Sequence, residues 1–382
     1  MAQKRILIFS LAYYPNVGGA EIAIKEITDR IPREEISFDM LTMRLNKHDA
    51  SVEQIGNVHV YRIASLGTGR IAKFLFQFLA AFRAYRLNKK NAYDAVWAMM
   101  AHSAGVPAVI FKSLHPSVPY ILTLQEGDPP EHVEKVMRPL WLLFARSFTR
   151  ADIVQVISNF LGAWARRRGF TGALEVIPNG VDTQQFKGEK IPHEGTILIT
   201  TSRLVRKNGI DDVIRALPLL PDVHFRVLGT GSEEKMLKDL AAKLGVLQRV
   251  EFLGQVTHAE LPQALHGADI FVRPSRSEGM GNSFIEAMAA GLPVIATQEG
   301  GIADFLFDAK RNPDKTTTGW AVDKDNPAQI AEAVKEIMGN PQRAAEVIKN
   351  AQELVTRSYD WGLIAAAMKE RVFDRVLKTT LQ

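Results

Sequence analysis

The chain contains no cysteine in 382 residues. That excludes a disulfide scaffold, a thiolate metal site, a cysteine nucleophile and an iron–sulfur cluster, and it fits a reducing compartment. No apolar run approaches the ~20 residues that a membrane-spanning helix needs. The stretch from Ile6 to Tyr14 follows Lys4 and Arg5, as a signal peptide would. It lacks an A-x-A-like cleavage site, and Pro15, Gly18 and Gly19 follow at once, so a first β-strand explains it better. Zinc-finger spacing is missing, as is any basic stripe interleaved with aromatics, which makes nucleic acid the weaker partner. The G-x-G-x-x-G fingerprint of dinucleotide-binding folds is missing too. A soluble, cytoplasmic protein is expected, with any membrane contact peripheral.

What is present is globular. Hydrophobic residues make up 46% and charged residues 23%, and the length suits roughly two domains. The net charge of +5 hides an asymmetry: residues 1–190 carry 24 Lys and Arg against 17 Asp and Glu, while residues 191–382 carry 23 against 25. A basic first half suits an anionic partner.

Short apolar runs alternate with helix-period segments. Strands are expected at Arg5–Leu11, Asp39–Met43, Val58–Ile63, Ala95–Met99, Tyr120–Leu124 and Ile153–Ile157. After Pro178, Asn179 and Gly180 the pattern restarts, with strands at Thr196–Thr201, His224–Leu228, Val250–Leu253, Ile270–Arg273 and Pro293–Ala296. Helical segments such as Glu21–Ile31, Gly209–Leu217 and Glu233–Leu244 lie between them. Strands alternating with helices predict parallel sheets covered on both faces. Two such sets predict two doubly wound α/β domains facing a central cleft, with ligands outside the carboxyl ends of the strands. The polar stretch at 183–195 marks the boundary.

The most informative segment is 275–301. A strand ends at Pro274, a loop holds Glu278, Gly279 and Gly281, and a helix starts near Asn282 or Ser283. A glycine loop running into a helix N-terminus offers backbone N–H groups to an anion. Glu278 and Glu286 flank it, and each can accept hydrogen bonds from a polyol. Sugar, phosphate and ribose in that order is a nucleotide sugar. Ser283-x-x-Glu286 is also a capping box, in which Glu286 serves only the helix start; both readings stay open at this point. Arg203 and Lys207 follow the strand Thr196–Thr201, where two cations could stabilise a diphosphate leaving group. Gly18 and Gly19 follow the first strand and permit close approach of backbone to a ligand. Asp323-Lys324-Asp325 has metal-site spacing, but it precedes Asn326-Pro327 and reads as a helix cap. No metal is expected.

With these motifs the chain resembles the GT-B-fold glycosyltransferases of family 4, the retaining, nucleotide-sugar-dependent group. Glu278-x7-Glu286 with Ala-Gly-Leu-Pro-Val after it is the most specific part. Ser202-Arg203-Leu204 with Lys207, Ile177 to Asp182, Gly229-Thr230-Gly231, Phe252-Leu253-Gly254 and Gly18-Gly19 fall in the family's order. The resemblance implies that Glu278 binds the donor sugar, that Glu286 binds the ribose, and that Arg203 and Lys207 hold the diphosphate. Gly19 would approach that diphosphate from the other domain. The backbone of Gly279, Met280, Gly281, Asn282 and Ser283 would line the pocket. It also implies an acceptor-binding domain at 1–187, a donor-binding domain at 188–359, and a last helix, about 360–382, that crosses back onto the first domain. After Tyr120–Leu124 the family often has a histidine near the donor sugar; here Gln125 stands there, able to hydrogen-bond a hydroxyl but not to act as acid or base. Asp128 and Glu126 suit acceptor contacts or a weak base, and His102 lies near the end of the preceding strand.

The expected activity is transfer of a sugar from a UDP- or GDP-sugar to a glycan or lipid-linked acceptor, with retention and no cofactor, in cell-surface polysaccharide or glycolipid synthesis. Arg203, Lys207 and Glu278 would carry it. A nucleotide-sugar epimerase, a phosphorylase and a non-catalytic sugar-nucleotide-binding protein are the alternatives. Residues 70–90 add one further element. Ile71, Phe74, Leu75, Phe78, Leu79 and Phe82 recur at helical spacing, with Arg70, Lys73, Arg83, Arg86, Lys89 and Lys90 at the ends. That is a basic amphipathic helix, which fits either an anionic membrane surface at the inner face of the cell membrane or an ordinary core helix.

Overall fold

A computed structural model describes residues 3–64 and 67–379. Its elements follow from the apolar runs. In the first unit the strands are β1 (Lys4–Phe9), β2 (Ile36–Met43), β3 (Val52–Ile55), β4 (Val58–Ile63), β5 (Ala95–Met99), β6 (Tyr120–Leu124), β7 (Ile153–Val156) and β8 (Ala173–Val176). They form one sheet in the order β3-β4-β2-β1-β5-β6-β7-β8. Among the described residues, only the β3–β4 pair is antiparallel. The central strands β5 and β6 are buried along their whole length. Continuous apolar runs are what a parallel strand covered on both faces requires.

The second unit holds β9 (Thr196–Thr201), β10 (Val223–Leu228), β11 (Val250–Gly254), β12 (Ile270–Arg273), β13 (Val294–Ala296) and β14 (Trp320–Ala321). Their order is β11-β10-β9-β12-β13-β14, parallel throughout. Each sheet reverses direction once. The chain winds outward from β1 and returns to place β5 on its other side; it winds outward from β9 and returns to place β12 beside it. Such reversals are where doubly wound sheets bind ligands.

The first unit comprises 1–179 and 361–382, the second 180–360. The expected division after residue 187 is therefore displaced. Residues 180–186 are tied into the second unit: the Val181 N–H donates to the Tyr359 carbonyl at 2.7 Å, Thr183 Oγ1 donates to Asp360 at 2.7 Å, and Phe186 is fully buried. The polar run that follows is a loop within that unit.

The C-terminal segment packs on the first sheet. Trp361–Met368 is α-helical, Lys369–Phe373 forms a π turn, and Asp374–Thr379 resumes the α-helix. Phe373 packs edge-on against Trp97 of β5 at 5.2 Å between ring centroids, and Arg371 donates to Glu175 at 2.9 Å. The last residues of the expected helix, 380–382, lie outside the described residues.

The helix Arg70–Asn91 turns the opposite way from a core helix. Ala72, Phe76, Gln77, Ala80, Ala81, Ala84 and Leu87 are buried. The apolar stripe faces out: Ile71 is 77% exposed, Phe82 61%, Leu79 45% and Phe74 41%. The small alanines let the helix approach the sheet, so the bulky side chains are left on the outer face.

Candidate active site

In the second unit, the loops after β9 and β12 flank the reversal of the sheet. The β9 loop is held by backbone. Ser202 N–H donates to Leu228 O at 2.9 Å, Leu204 N–H to Thr230 O at 2.9 Å, and Glu233 N–H to Leu204 O at 2.9 Å. A Cβ on Gly229 would lie 1.9 Å from Ser202 O, and one on Gly231 2.2 Å from Leu204 O. Glycine is therefore needed at both positions. Asn208 Nδ2 donates to the Arg203 carbonyl at 2.6 Å. The Arg203 side chain is exposed and Lys207 is half-buried.

Arg276 binds the two loops together. Its N–H donates to Lys207 O at 2.6 Å, and its guanidinium pairs with Asp211 and Asp212 at 2.8 Å and with Asp325 at 2.7 Å. That assigns Asp325 to a structural ion pair. Asp323 pairs with Arg311 at 2.9 Å. The cap expected of the D-x-D is made instead by Asn326, whose side chain accepts from Gln329 N.

The helix Asn282–Ala289 starts at Gly281, which has φ +88 and no side-chain cap. A Cβ there would lie 2.6 Å from the Phe284 ring and 2.7 Å from Arg273. The capping-box reading fails on two counts. Ser283 lies inside the helix, where its Oγ accepts from Arg273 Nη1 at 2.6 Å. Glu286 is buried one turn further on, with Oε1 3.3 Å from His258 Nε2. The first turn is Asn282 to Phe284, and the Phe284 N–H already donates to Gly281 O at 3.2 Å.

Sequence reasoning missed Arg273. At the carboxyl end of β12 it is 5% exposed. It donates to Glu278 Oε2 at 2.8 Å, Ser283 Oγ at 2.6 Å, Thr201 O at 3.1 Å and Ser275 Oγ at 3.2 Å. Its guanidinium carbon also sits 4.1 Å from the Phe284 ring centroid. Burial lowers its pKa from the ordinary value, and the carboxylates of Glu278 and Glu286 oppose that. A buried cation between the two glutamates fixes Glu278 in one orientation. The Glu278 carbonyl accepts from Gly301 N–H at 3.0 Å, and Gly300, at φ +64, leaves room where a Cβ would lie 2.0 Å from that carbonyl. Glu278 through Ser283 and Glu286 thus form one cluster at the end of β12.

In the first unit, the helix Gly19–Asp29 begins after Gly18, whose N–H donates to Glu21 Oε2 at 2.8 Å. Burial raises the Glu21 carboxyl above its ordinary pKa. The Gly18 N–H is thus already used within the turn. At the end of β6, Gln125 and Asn179 exchange two side-chain hydrogen bonds of 3.0 Å. Asp128 is exposed. Glu126, expected as an acceptor contact, is 3% exposed and turned inward.

Residues 181–354 match the family described as glycosyl transferases group 1, and residues 17–185 match glycosyltransferase family 4. The chain belongs to the GT-B glycosyltransferases of family 4 type. A GDP-mannose-dependent alpha-(1-6)-phosphatidylinositol monomannoside mannosyltransferase of Mycolicibacterium smegmatis is 30% identical over 59% of this chain, an alignment that spans only 63% of that relative's own length. Among solved structures, sucrose-phosphate synthase from Thermosynechococcus elongatus superposes with a TM-score of 0.83 at 22% identity, covering 99% of this chain and 100% of that one. An Anabaena protein, HepE, solved in complex with UDP-glucose, gives a TM-score of 0.77 at 21% identity, covering 97% of this chain and 99% of that one. Both carry the two Rossmann-like domains of the GT-B fold, and this family member shares them.

Proposed function

We propose that this glycosyltransferase moves a sugar from a UDP- or GDP-sugar to a glycan or lipid-linked acceptor, with the anomeric configuration kept and no metal required. The observation that carries the reading is the cluster at the reversal of the second sheet. Arg203 and Lys207 end one loop, and the Glu278–Glu286 segment with its helix N-terminus forms the other. Cations and the positive end of a helix suit a diphosphate; Glu278 and Glu286 suit the hydroxyls of sugar and ribose. The backbone of Gly279, Met280, Gly281 and Asn282 would line the same site of the second unit, and Gly18, Gly19, Gln125 and Asp128 are the proposed substrate contacts of the first. The relative that uses GDP-mannose and the neighbour that holds UDP-glucose support a nucleotide-sugar donor without choosing its base.

We assign no side chain of this cluster as a covalent nucleophile, with Glu278 engaged by Arg273. A front-face reaction, in which the leaving phosphate helps to deprotonate the acceptor, is the more economical route to retention. A screen of GDP-mannose, UDP-glucose and related donors for released nucleotide diphosphate tests the reading. Release should rise with acceptor, persist in EDTA, and yield a product whose anomeric proton coupling matches the donor. Release that depends on inorganic phosphate would favour a phosphorylase. Donor binding with no turnover over many acceptors would favour a binding protein. Full loss with EDTA, restored by magnesium or manganese, would overturn metal independence.

The acceptor is membrane-borne, and the enzyme sits peripherally on the cytoplasmic face. Among the described residues no helix is long and apolar enough to cross a membrane. The outward stripe of Arg70–Asn91 combines exposed Ile71, Phe74, Phe78 and Phe82 with Lys73, Arg83, Arg86, Lys89 and Lys90. Each basic residue near an anionic surface is worth about 1 kcal/mol. Changing Lys73, Arg83, Arg86, Lys89 and Lys90 to Glu should abolish cosedimentation with phosphatidylglycerol vesicles and leave the melting temperature unchanged. Because Phe74 and Phe78 face outward, Phe74→Ser with Phe78→Ser should do the same. Wild-type protein that ignores these vesicles at low salt would sink the idea and favour a soluble acceptor.

A further inference from the structure

The end of β5 in the first unit is built unusually. Met100 has φ +72, a conformation that a side-chain-bearing residue rarely adopts. The next five residues, Ala101–Gly105, form a π turn, which is rare and recurs at functional sites. The turn leans on a buried carboxylate. Glu126, whose side chain is 1% exposed, accepts from Ala101 N–H at 2.7 Å and from Gln125 N–H at 3.0 Å. Its Oε1 also lies 3.4 Å from His102 Nδ1.

A carboxylate oxygen accepts, so the ring tautomer that pairs with Glu126 carries its proton on Nδ1 and leaves Nε2 as an acceptor. The His102 side chain is 33% exposed and can be reached from solvent. It stands where the first sheet reverses, at the carboxyl end of β5 beside β1, which is where ligands bind in such sheets. Gln125, one residue from Glu126, is committed to Asn179 by two hydrogen bonds.

We propose that His102, held by the positioning residue Glu126, accepts a hydrogen bond from a saccharide hydroxyl during sugar transfer. This rests on the glycosyltransferase reading above. It moves the expected polar contact from Gln125 on β6 to a histidine on the neighbouring strand. The strained backbone at Met100 and the π turn set the ring at the strand end. The buried carboxylate fixes its tautomer.

The hydroxyl can belong to the donor sugar or to the acceptor, and two measurements separate them. One is the gain in affinity of UDP-glucose over UDP, and of GDP-mannose over GDP, by calorimetry on the full chain. The other is kcat and KM for methyl α-mannoside as soluble acceptor. His102→Ala should lower transfer by about tenfold or more, the effect of leaving one hydroxyl without its partner. A loss of the affinity gain assigns the donor; a raised acceptor KM with that gain intact assigns the acceptor. His102→Gln, which restores an acceptor atom, should recover part of the loss. Glu126→Gln should lower transfer in the wild-type background and add nothing in the His102→Ala background, which a merely structural role would not produce. Wild-type affinity gain, kcat and KM in His102→Ala, or additive losses in the double variant, would overturn the proposal. Failure of the glycosyltransferase reading itself would look different: no nucleotide release from the wild-type chain.

Discussion

Replacing both Arg203 and Lys207 with Ala should cut kcat by a hundredfold or more while donor affinity falls much less. Negative charge on a diphosphate leaving group grows as the glycosidic bond breaks, so contacts to it strengthen in the transition state. One such contact is typically worth ~3 kcal/mol, about a hundredfold in rate. The loop that presents the two side chains does not depend on them. Its shape comes from the backbone pairing of Ser202 and Leu204 with the Leu228–Thr230 segment, from Asn208 on the Arg203 carbonyl, and from the Arg276 N–H on the Lys207 carbonyl. The double variant should therefore melt close to wild type, so a rate loss can be read as lost chemistry. Steady-state kinetics with the donor found in the screen, beside a melting curve, make the test. A kcat near wild type would remove the diphosphate from this loop.

The strands were legible where burial on both faces makes the whole run apolar, as in Ala95–Met99. β3, β8 and β14 escaped for reasons visible in their packing. β3 alternates and is largely exposed, β8 is a half-buried edge strand, and β14 has two residues. The helix at 70–91 was legible as amphipathic but not as to which face turns inward. Phe76, off the stripe, is buried because Ala72, Ala80 and Ala84 share its side.

The site divides in the same way. Glu278, Glu286, Arg203 and Lys207 stood out because their spacing to glycines and strand ends is local. Arg273 did not, since an arginine after an apolar run looks like a surface charge. Its partners, Thr201, Glu278 and Ser283, come together only when β9 and β12 pair. Glu126 misled in the opposite direction: a loop carboxylate between Gln125 and Gly127 reads as solvated, and only the π turn folding over it shows that it points inward.

Arg273→Met should be the most destabilising single change in the second unit's site, by about 3–5 kcal/mol, the usual cost of removing one partner of a buried ion pair. The methionine would fill much of the space over Phe284, but the carboxylate of Glu278, 13% exposed, would lose its cation. Two hydroxyls and the Thr201 carbonyl would lose their donor as well. Arg273→Lys keeps the charge but not the fork, so it should recover part of the stability and little of the sugar specificity. Glu278→Gln tests the same pair from the other side. The amide still accepts from Arg273, but the cation is left buried and uncompensated, so stability and sugar recognition should fall together. Glu286→Gln should behave differently. Its described partner is the imidazole of His258, whose side chain is 41% exposed, so the melting temperature should hold while nucleotide affinity drops. Measuring melting temperature, affinity for UDP or GDP, and the added affinity of the sugar on all four variants separates the roles. If Glu278→Gln left stability and sugar affinity intact while Glu286→Gln unfolded the unit, the assignment of the buried pair would be reversed.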